Sequence, residues 1–467
     1  MVTAIQYNHS IRFQRFTWVY LLVIVRLVGS VLLFLTICSA ATLTLVSEKA
    51  SSSDAFVDSM GVVVHLENVG TLYQTHLTDY IEPALIASGL RHVRDGGLAS
   101  SLNDYGMTQI YVDIYNPVAS LVQQHTGHRL GFDLILAPLN GGSSNGSNSC
   151  DWLTRSPVST LLKYLNIEYV DGFEGMNEYD WEYPQFTPNC VTSSTWAGED
   201  AAFQQAIYSD IKSNPQTSSL PVVGPSFGTS AGMAAMGNVS QYEDFGTQHS
   251  YPFGSYPSAN IASNEARLSH INGSKPYAAT ETGYYTTPDG QAGISEEAYG
   301  KYMSRLFFEY FNAGILRTYA YELIDDPTQP GLFAHFGLLR SDGSFKPGFT
   351  AIANEIAILQ DPGPPIKPGS LTYSLGGIPS TLHHTLLQKR NGSFDLVLWQ
   401  EVPSYNLTHE LDINPLPLSV QLTLCCQAAS VTFYDPVHGS SPVASIANVK
   451  QFTVPVPDRA IIVEIKP

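Results

Sequence analysis

Tyr169-Val170-Asp171-Gly172-Phe173-Glu174, running straight into Gly175-Met176-Asn177-Glu178, is the stretch on which the fold turns. Six residues read as a strand, and the chain then offers two small or flexible residues followed by two polar ones, Asn177 and Glu178. If strands of this kind alternate with helices in a parallel α/β barrel, reacting groups stand at the C-terminal strand ends, and Asn177 and Glu178 sit at such an end.

Seven further short runs of the same kind surround it. Gly61–Leu66, Arg91–Asp95 and Asp133–Pro138 precede it, and Pro221–Pro225, Phe245–Tyr251, Tyr277–Glu281 and Leu316–Tyr321 follow. Helical spacing fills most of the intervals, over Thr75–Ser88, Met107–Gln124, Val158–Leu165, Glu199–Ser213, Glu296–Ala313 and Phe349–Leu359. The interval between the sixth and seventh strands is the least clear. Eight such units fit a (β/α)8 TIM barrel over residues 55–361 better than an open doubly wound sheet, and no Gly-x-Gly-x-x-Gly follows the first strand.

The punctuation changes after Asp361. Pro362-Gly363-Pro364-Pro365 and Pro368-Gly369 make a stiff joint over residues 362–370. Short alternating runs then predict a C-terminal antiparallel β-sandwich over residues 371–467. At the other end, Arg12 and Arg15 precede the uncharged run Leu27–Ile37, and Cys38-Ser39-Ala40 offers small residues for cleavage. Residues 1–40 therefore read as a signal peptide or, uncleaved, as a membrane anchor through residues 18–40, although Arg26 interrupts the apolar stretch. Lipid attachment at Cys38 is disfavoured by the bulky Ile37. The small, polar residues 41–54 read as a linker.

Export gives the cysteines a meaning, since an oxidising compartment would let Cys150 and Cys190 bridge two loops. Cys425 and Cys426 are neighbours in a strand-like run, so they are expected on opposite faces and unsuited to each other. Asn145, Asn238, Asn272, Asn391 and Asn406 are glycosylation sequons in a eukaryotic host. No C-x-x-C or His/Cys cluster supports a metal site, and no cofactor is expected. Lysine and arginine number 23 against 41 acidic residues, and a net charge of −18 argues against nucleic acid as a partner. A serine hydrolase is disfavoured because the Gly-x-Ser-x-Gly elbow is missing. The 26 tyrosines suit stacking on sugar rings, although such residues also serve as core.

Four strand ends are unusually polar. They are Arg94-Asp95-Gly96-Gly97, Asn177-Glu178, His249-Ser250-Tyr251 and Glu281-Thr282-Gly283. Two carboxylates facing each other across a cleft are what cleavage of a glycosidic bond requires, one to protonate the leaving oxygen and one to support positive charge at the anomeric carbon. Glu178 and Glu281 are the candidates.

The Asn177-Glu178 pair, His249-x-Tyr251 and Glu281 together resemble the clan A glycoside hydrolases, and the segment after the barrel is similar to that of family 39 and its neighbours. The resemblance implies retaining hydrolysis of a carbohydrate substrate, with Glu178 as acid/base and Glu281 as nucleophile. It implies that Asn177 binds a sugar 2-hydroxyl, that Arg94 braces the nucleophile, and that Tyr251 or His249 orients it. Clan members often carry Trp at the end of strand eight, where this chain has Tyr321-Glu322, so Tyr319 or Tyr321 is expected to stack on the sugar instead.

Other readings compete at each position. Glu174 rivals Glu178 for the acid role but lies deeper in its strand, where a carboxylate tends to pair with a buried arginine. Arg94 and Asp95 together suit a structural ion pair, and His249 suits a core position. Trp181 and Trp196, in what reads as a long loop after strand four, suit sugar stacking or loop packing. A carbohydrate-binding barrel that has lost turnover is the alternative to an enzyme.

Overall fold

The computed structural model describes residues 44–97, 110–138, 156–186, 191–286, 293–377 and 379–467. Its first strands are not in the barrel. β1 (Val46–Lys49) and β2 (Ser51–Ser52) come from the segment read as a linker, and both join the C-terminal sheet. Composition misleads here because an edge strand needs backbone hydrogen bonds rather than apolar side chains: β1 pairs antiparallel with a strand that begins at Ser370.

The eight expected barrel strands all form. In chain order they are β3 (Met60–Val63), β4 (His92–Gly96), β5 (Gly131–Ile135), β6 (Val170–Glu174), β7 (Val222–Val223), β8 (Gly246–His249), β9 (Tyr277–Thr282) and β10 (Thr318–Ala320). They pair in parallel in the order β7-β6-β5-β4-β3-β10-β9-β8, and the bridge Val223↔Phe245 joins the two ends, so the barrel is nearly closed. β3 is buried along its whole length, as expected where helices cover one face of a sheet and the barrel interior the other. Inside, Tyr319 lies so close to Gly61 that a Cβ there would meet its ring at 2.5 Å. Tyr319 is therefore barrel filling and not a sugar platform.

The expected helices appear with shifted ends, and the unclear interval between the sixth and seventh barrel strands holds Ile261–Asn272. Two differences bear on the site. The segment after β6 is helical over Tyr179–Phe186, and Trp196 opens the helix Trp196–Ser213 and is buried in the barrel's core cluster, which removes it as a stacking residue. Asn272 is 1% exposed, so its sequon is closed to a glycan in the folded chain.

Beyond the joint come β11 (Ser370–Gly376), β12 (Leu382–Gln388), β13 (Phe394–Gln400), the small hairpin β14 (Tyr405–Asn406) and β15 (Leu411–Asp412), then β16 (Leu418–Tyr434), β17 (Ala444–Val456) and β18 (Ile461–Lys466). Among these, the large sheet runs β1-β11-β16-β18-β13-β12-β2, with β17 also paired to β16. β16 pairs with β11 through its first half and with β18 through its second, which folds the sheet around a core of its own, including Leu396, Leu422, Val431 and Val463. One face of this layer seats on the barrel helix Glu296–Asn312, where Trp399 packs against Phe308 and donates its indole N–H to Glu309 at 2.6 Å.

Residues Leu45–Pro467 make one compact unit. Among the described residues no helix is long and apolar enough to cross a membrane. The N-terminal segment 1–40, Cys38, Cys150, Cys190 and Asn145 lie outside the described residues.

Candidate active site

Strand ends bring the polar residues together at one mouth of the barrel. The organiser is Arg94, from β4, which is 1% exposed and surrounded by acceptors. Its Nε and Nη2 grip Glu174 at 2.6 and 2.9 Å, its Nη1 donates to Glu281 Oε1 at 2.7 Å, and Nη2 also reaches Asn177 Oδ1 at 2.8 Å. Burial opposes its charge, but Glu174 and Glu281 outweigh that and keep the guanidinium firmly protonated. Glu174 is fully committed to this fork. Asp95 does not pair with Arg94, because successive strand residues face opposite ways; it accepts instead from the backbone N–H groups of Leu66 and Gly96.

Glu281 stands at the mouth from β9. Tyr251 donates its hydroxyl to Oε2 at 2.8 Å while Arg94 holds Oε1. Burial would raise its carboxyl, but His249, Arg94 and the Tyr251 hydrogen bond prevail and hold it below the ordinary carboxylate range.

Glu178 faces it from the turn after β6. Its backbone adopts φ +40°, an unusual conformation for a residue other than glycine, and the Ser226 hydroxyl accepts its N–H at 3.0 Å. One carboxylate oxygen meets His249 Nδ1 at 2.6 Å, and the other accepts the Trp181 indole N–H at 3.0 Å. Trp181 comes from the helix Tyr179–Phe186 and is half exposed. Its place depends on Gly228, where a Cβ would lie 2.9 Å from the indole and 3.0 Å from the Glu178 carboxylate.

His249 links the pair. Its Nδ1 is 3.6 Å from Glu281 as well as in contact with Glu178, while Nε2 meets Thr280 Oγ1 at 3.1 Å. Burial disfavours its protonation, yet the two glutamates raise its pKa above the usual value. Glu178, His249 and Glu281 bring one donor atom each within 4.8 Å of one another, the one group of His, Cys, Asp and Glu among the described residues compact enough for a metal ion.

Asn177 Oδ1 accepts from Arg94 and from Ser226 at 3.1 Å, which leaves its amide nitrogen to donate. Tyr321 forms part of an aromatic wall, its ring centroid 6.3 Å from that of Tyr251 and 5.3 Å from that of Phe336. A small cleft opens beside Tyr251, lined also by Phe253, Tyr285 and Phe336, with Leu407 contributed by the β14–β15 hairpin.

Of the residues singled out in the sequence, Arg94, Asn177, Glu178, Trp181, His249, Tyr251, Glu281 and Tyr321 meet at this mouth, whereas Trp196 and Tyr319 are buried away from it. Sequence reasoning did not identify Ser226, Gly228, Phe336 or Glu182. Ser226 follows the fifth strand run by one residue, and the rule that polar residues cluster at strand ends would have found it. Glu182 lies in the helix after β6, and burial together with Glu178 and Glu281 pushes its carboxyl up to about 8.

No family model and no curated protein matches the chain. Solved structures do. A family 39 glycoside hydrolase from Bacteroides cellulosilyticus WH2 superposes with a TM-score of 0.57 at 12% identity, over 89% of this chain and 82% of that one. A GH30 endoxylanase from Clostridium papyrosolvens C71 gives 0.54 at 13% identity, over 91% and 98% of the two chains. The chain has the fold of the clan A glycoside hydrolases. A GH51 arabinofuranosidase from Xanthomonas axonopodis pv. citri shares the clan A fold over 91% of this chain and 100% of its own, with a TM-score of 0.50 at 11% identity. At such identities the likeness speaks to architecture, and residue roles rest on the geometry above.

Proposed function

We propose that this protein is an exported glycoside hydrolase that cleaves O-glycosidic bonds of an oligo- or polysaccharide or glycoconjugate with retention of configuration. The observation that carries this reading is the approach of Glu178 and Glu281, from opposite sides of the barrel mouth, to within 4.8 Å between carboxylate oxygens. Retaining enzymes hold their two carboxyl groups about 5–5.5 Å apart, whereas inverting ones leave about 6.5–9.5 Å for a water.

Glu281, kept ionised by Arg94, Tyr251 and His249, attacks the anomeric carbon while Glu178 protonates the departing oxygen. Glu178 then takes a proton from water, which releases the sugar. Asn177 offers its free amide nitrogen to the 2-hydroxyl, a contact that strengthens in the transition state. Tyr321 and Trp181 border the sugar. Export rests on the arginine-flanked apolar run within residues 1–40, as a cleaved signal or a retained anchor.

A panel of aryl glycosides and oligosaccharides, followed by NMR of the first-formed anomer, tests the proposal. Retention is expected, and Glu281→Ala and Glu178→Gln should each lower hydrolysis of an oligosaccharide by about 10³-fold or more. Undiminished turnover in both variants would refute the roles; sugar binding without turnover in the wild type would make the protein a carbohydrate-binding barrel.

A further inference from the structure

The two vicinal cysteines, Cys425 and Cys426, do not lie as a regular strand would place them. Successive side chains of a strand point to opposite faces. In β16, however, Thr423 pairs with Gln451 of β17 while Ala428 pairs with Val449, so extra residues of β16 loop out between the two pairs. Leu424 and Ala428 flank the bulge and stay buried, whereas Cys425, Cys426 and Gln427 are all exposed. Gln427 ties the bulge to the facing strand, its side-chain amide donating to the Asn448 carbonyl at 2.8 Å, and Asn448 itself bends at φ +51°. The two sulfurs are thereby left in contact at 3.4 Å, with the Cys425 thiol donating to Cys426. Opposite faces were expected, and the bulge is the reason they are not found.

Neither thiol contributes to the core of this layer. A structural cysteine is ordinarily buried and inert, while an accessible one is open to oxidants. We propose that Cys425 and Cys426 form a surface dithiol clip, which a low-molecular-weight disulfide such as glutathione disulfide closes into a disulfide between the adjacent residues.

The chemistry balances without any further reactant. One cysteine thiolate attacks a sulfur of the oxidant, forming a mixed disulfide and expelling one glutathione thiolate. The neighbouring sulfur, already in contact, attacks the protein-side sulfur and expels the second. The two cysteines lose two electrons and two protons, and two glutathione thiols gain them. Adjacent Cα atoms lie about 3.8 Å apart, short of the roughly 4.4–6.8 Å that disulfides usually span, so the closed clip is strained and easily reduced. It is a reversible site rather than a structural staple.

The test uses the full chain, folded and incubated with glutathione disulfide, then digested and read by peptide mass at residues 425–426. The expected peptide has lost two hydrogens and carries no glutathione. Cys425→Ser and Cys426→Ser, which remove the resolving sulfur at an exposed position, should each retain the glutathione adduct at roughly tenfold or greater yield than wild type. Reduced glutathione should then reopen the wild-type ring. A wild-type chain that stays unmodified, keeps the adduct, or links either cysteine to a different one would overturn the proposal.

Discussion

Arg94 joins three residues through four hydrogen bonds of one guanidinium, and a lysine at that position would keep the charge while losing the fork. Arg94→Lys should therefore lower kcat/KM by about 10²-fold, with the missing hydrogen bonds to charged groups at about 1.5–3 kcal/mol each as the reason. Tyr251→Phe removes one donor from Glu281 and should lower kcat by about 10- to 100-fold on the same scale. The pH profile separates this from simple misfolding. In the proposed mechanism Glu281 works ionised, and its carboxyl is held below the usual range, so the acid limb of kcat/KM should lie below about pH 4.3 in the wild type and move up in Tyr251→Phe. An unmoved limb would show that the hydroxyl does not tune Glu281. The two glutamates, Arg94 and the His249-x-Tyr251 pair were legible in the sequence because strand ends point at the mouth. Glu182 and Gly228 were not, since nothing in a linear pattern says which loop folds back over Glu178.

At the level of elements, the helix Tyr179–Phe186 escaped the sequence because it is eight residues long, holds Pro184 and shows no clear apolar stripe. What fixes it is Asp180. Its carboxylate accepts from the backbone N–H groups of Gly228 and Thr229, each at 2.9 Å, and from the Thr229 hydroxyl at 2.6 Å, fastening the loop after β7 to the helix that carries Trp181. Asp180→Ala should loosen both Trp181 and Glu178, reducing kcat about 10-fold for about 1–3 kcal/mol of lost stability. Steady-state kinetics beside thermal melting measures the two effects, and a loss of stability with unchanged kcat would separate the loop from the site. The strand period that made the barrel readable failed in β16 for a comparable reason, because a bulge breaks alternation without leaving a signature in residue type.

Across the whole molecule the barrel is polarised, with the site at one end and a charged network at the other. Asp171, at the start of β6, accepts from His92 at 2.5 Å and from Arg129 at 2.6 Å, with Arg317 at 3.5 Å. Burial would raise its carboxyl, but His92, Arg317 and Arg129 outweigh burial and hold it well below the usual range. A depressed carboxyl contributes stability above its unfolded pKa, about 3.9, and loses it as pH falls toward the folded value. Asp171→Asn should therefore cost about 3 kcal/mol near neutrality, and the gap between the melting curves of variant and wild type should close below about pH 4. A gap independent of pH would assign the loss to packing instead.

The same chain-level view bears on how the protein is made. β1 and β2 are synthesised before the barrel, yet their partners β11 and β12 lie beyond it. At about 5–20 residues per second, the roughly 320 intervening residues keep those first strands waiting on the order of 15–60 s on the ribosome. The barrel has time to fold before the layer that brackets it can close. A fragment cut after the joint would keep every polar residue of the candidate site, lose Leu407 from its cleft, and still carry two orphaned edges into solution.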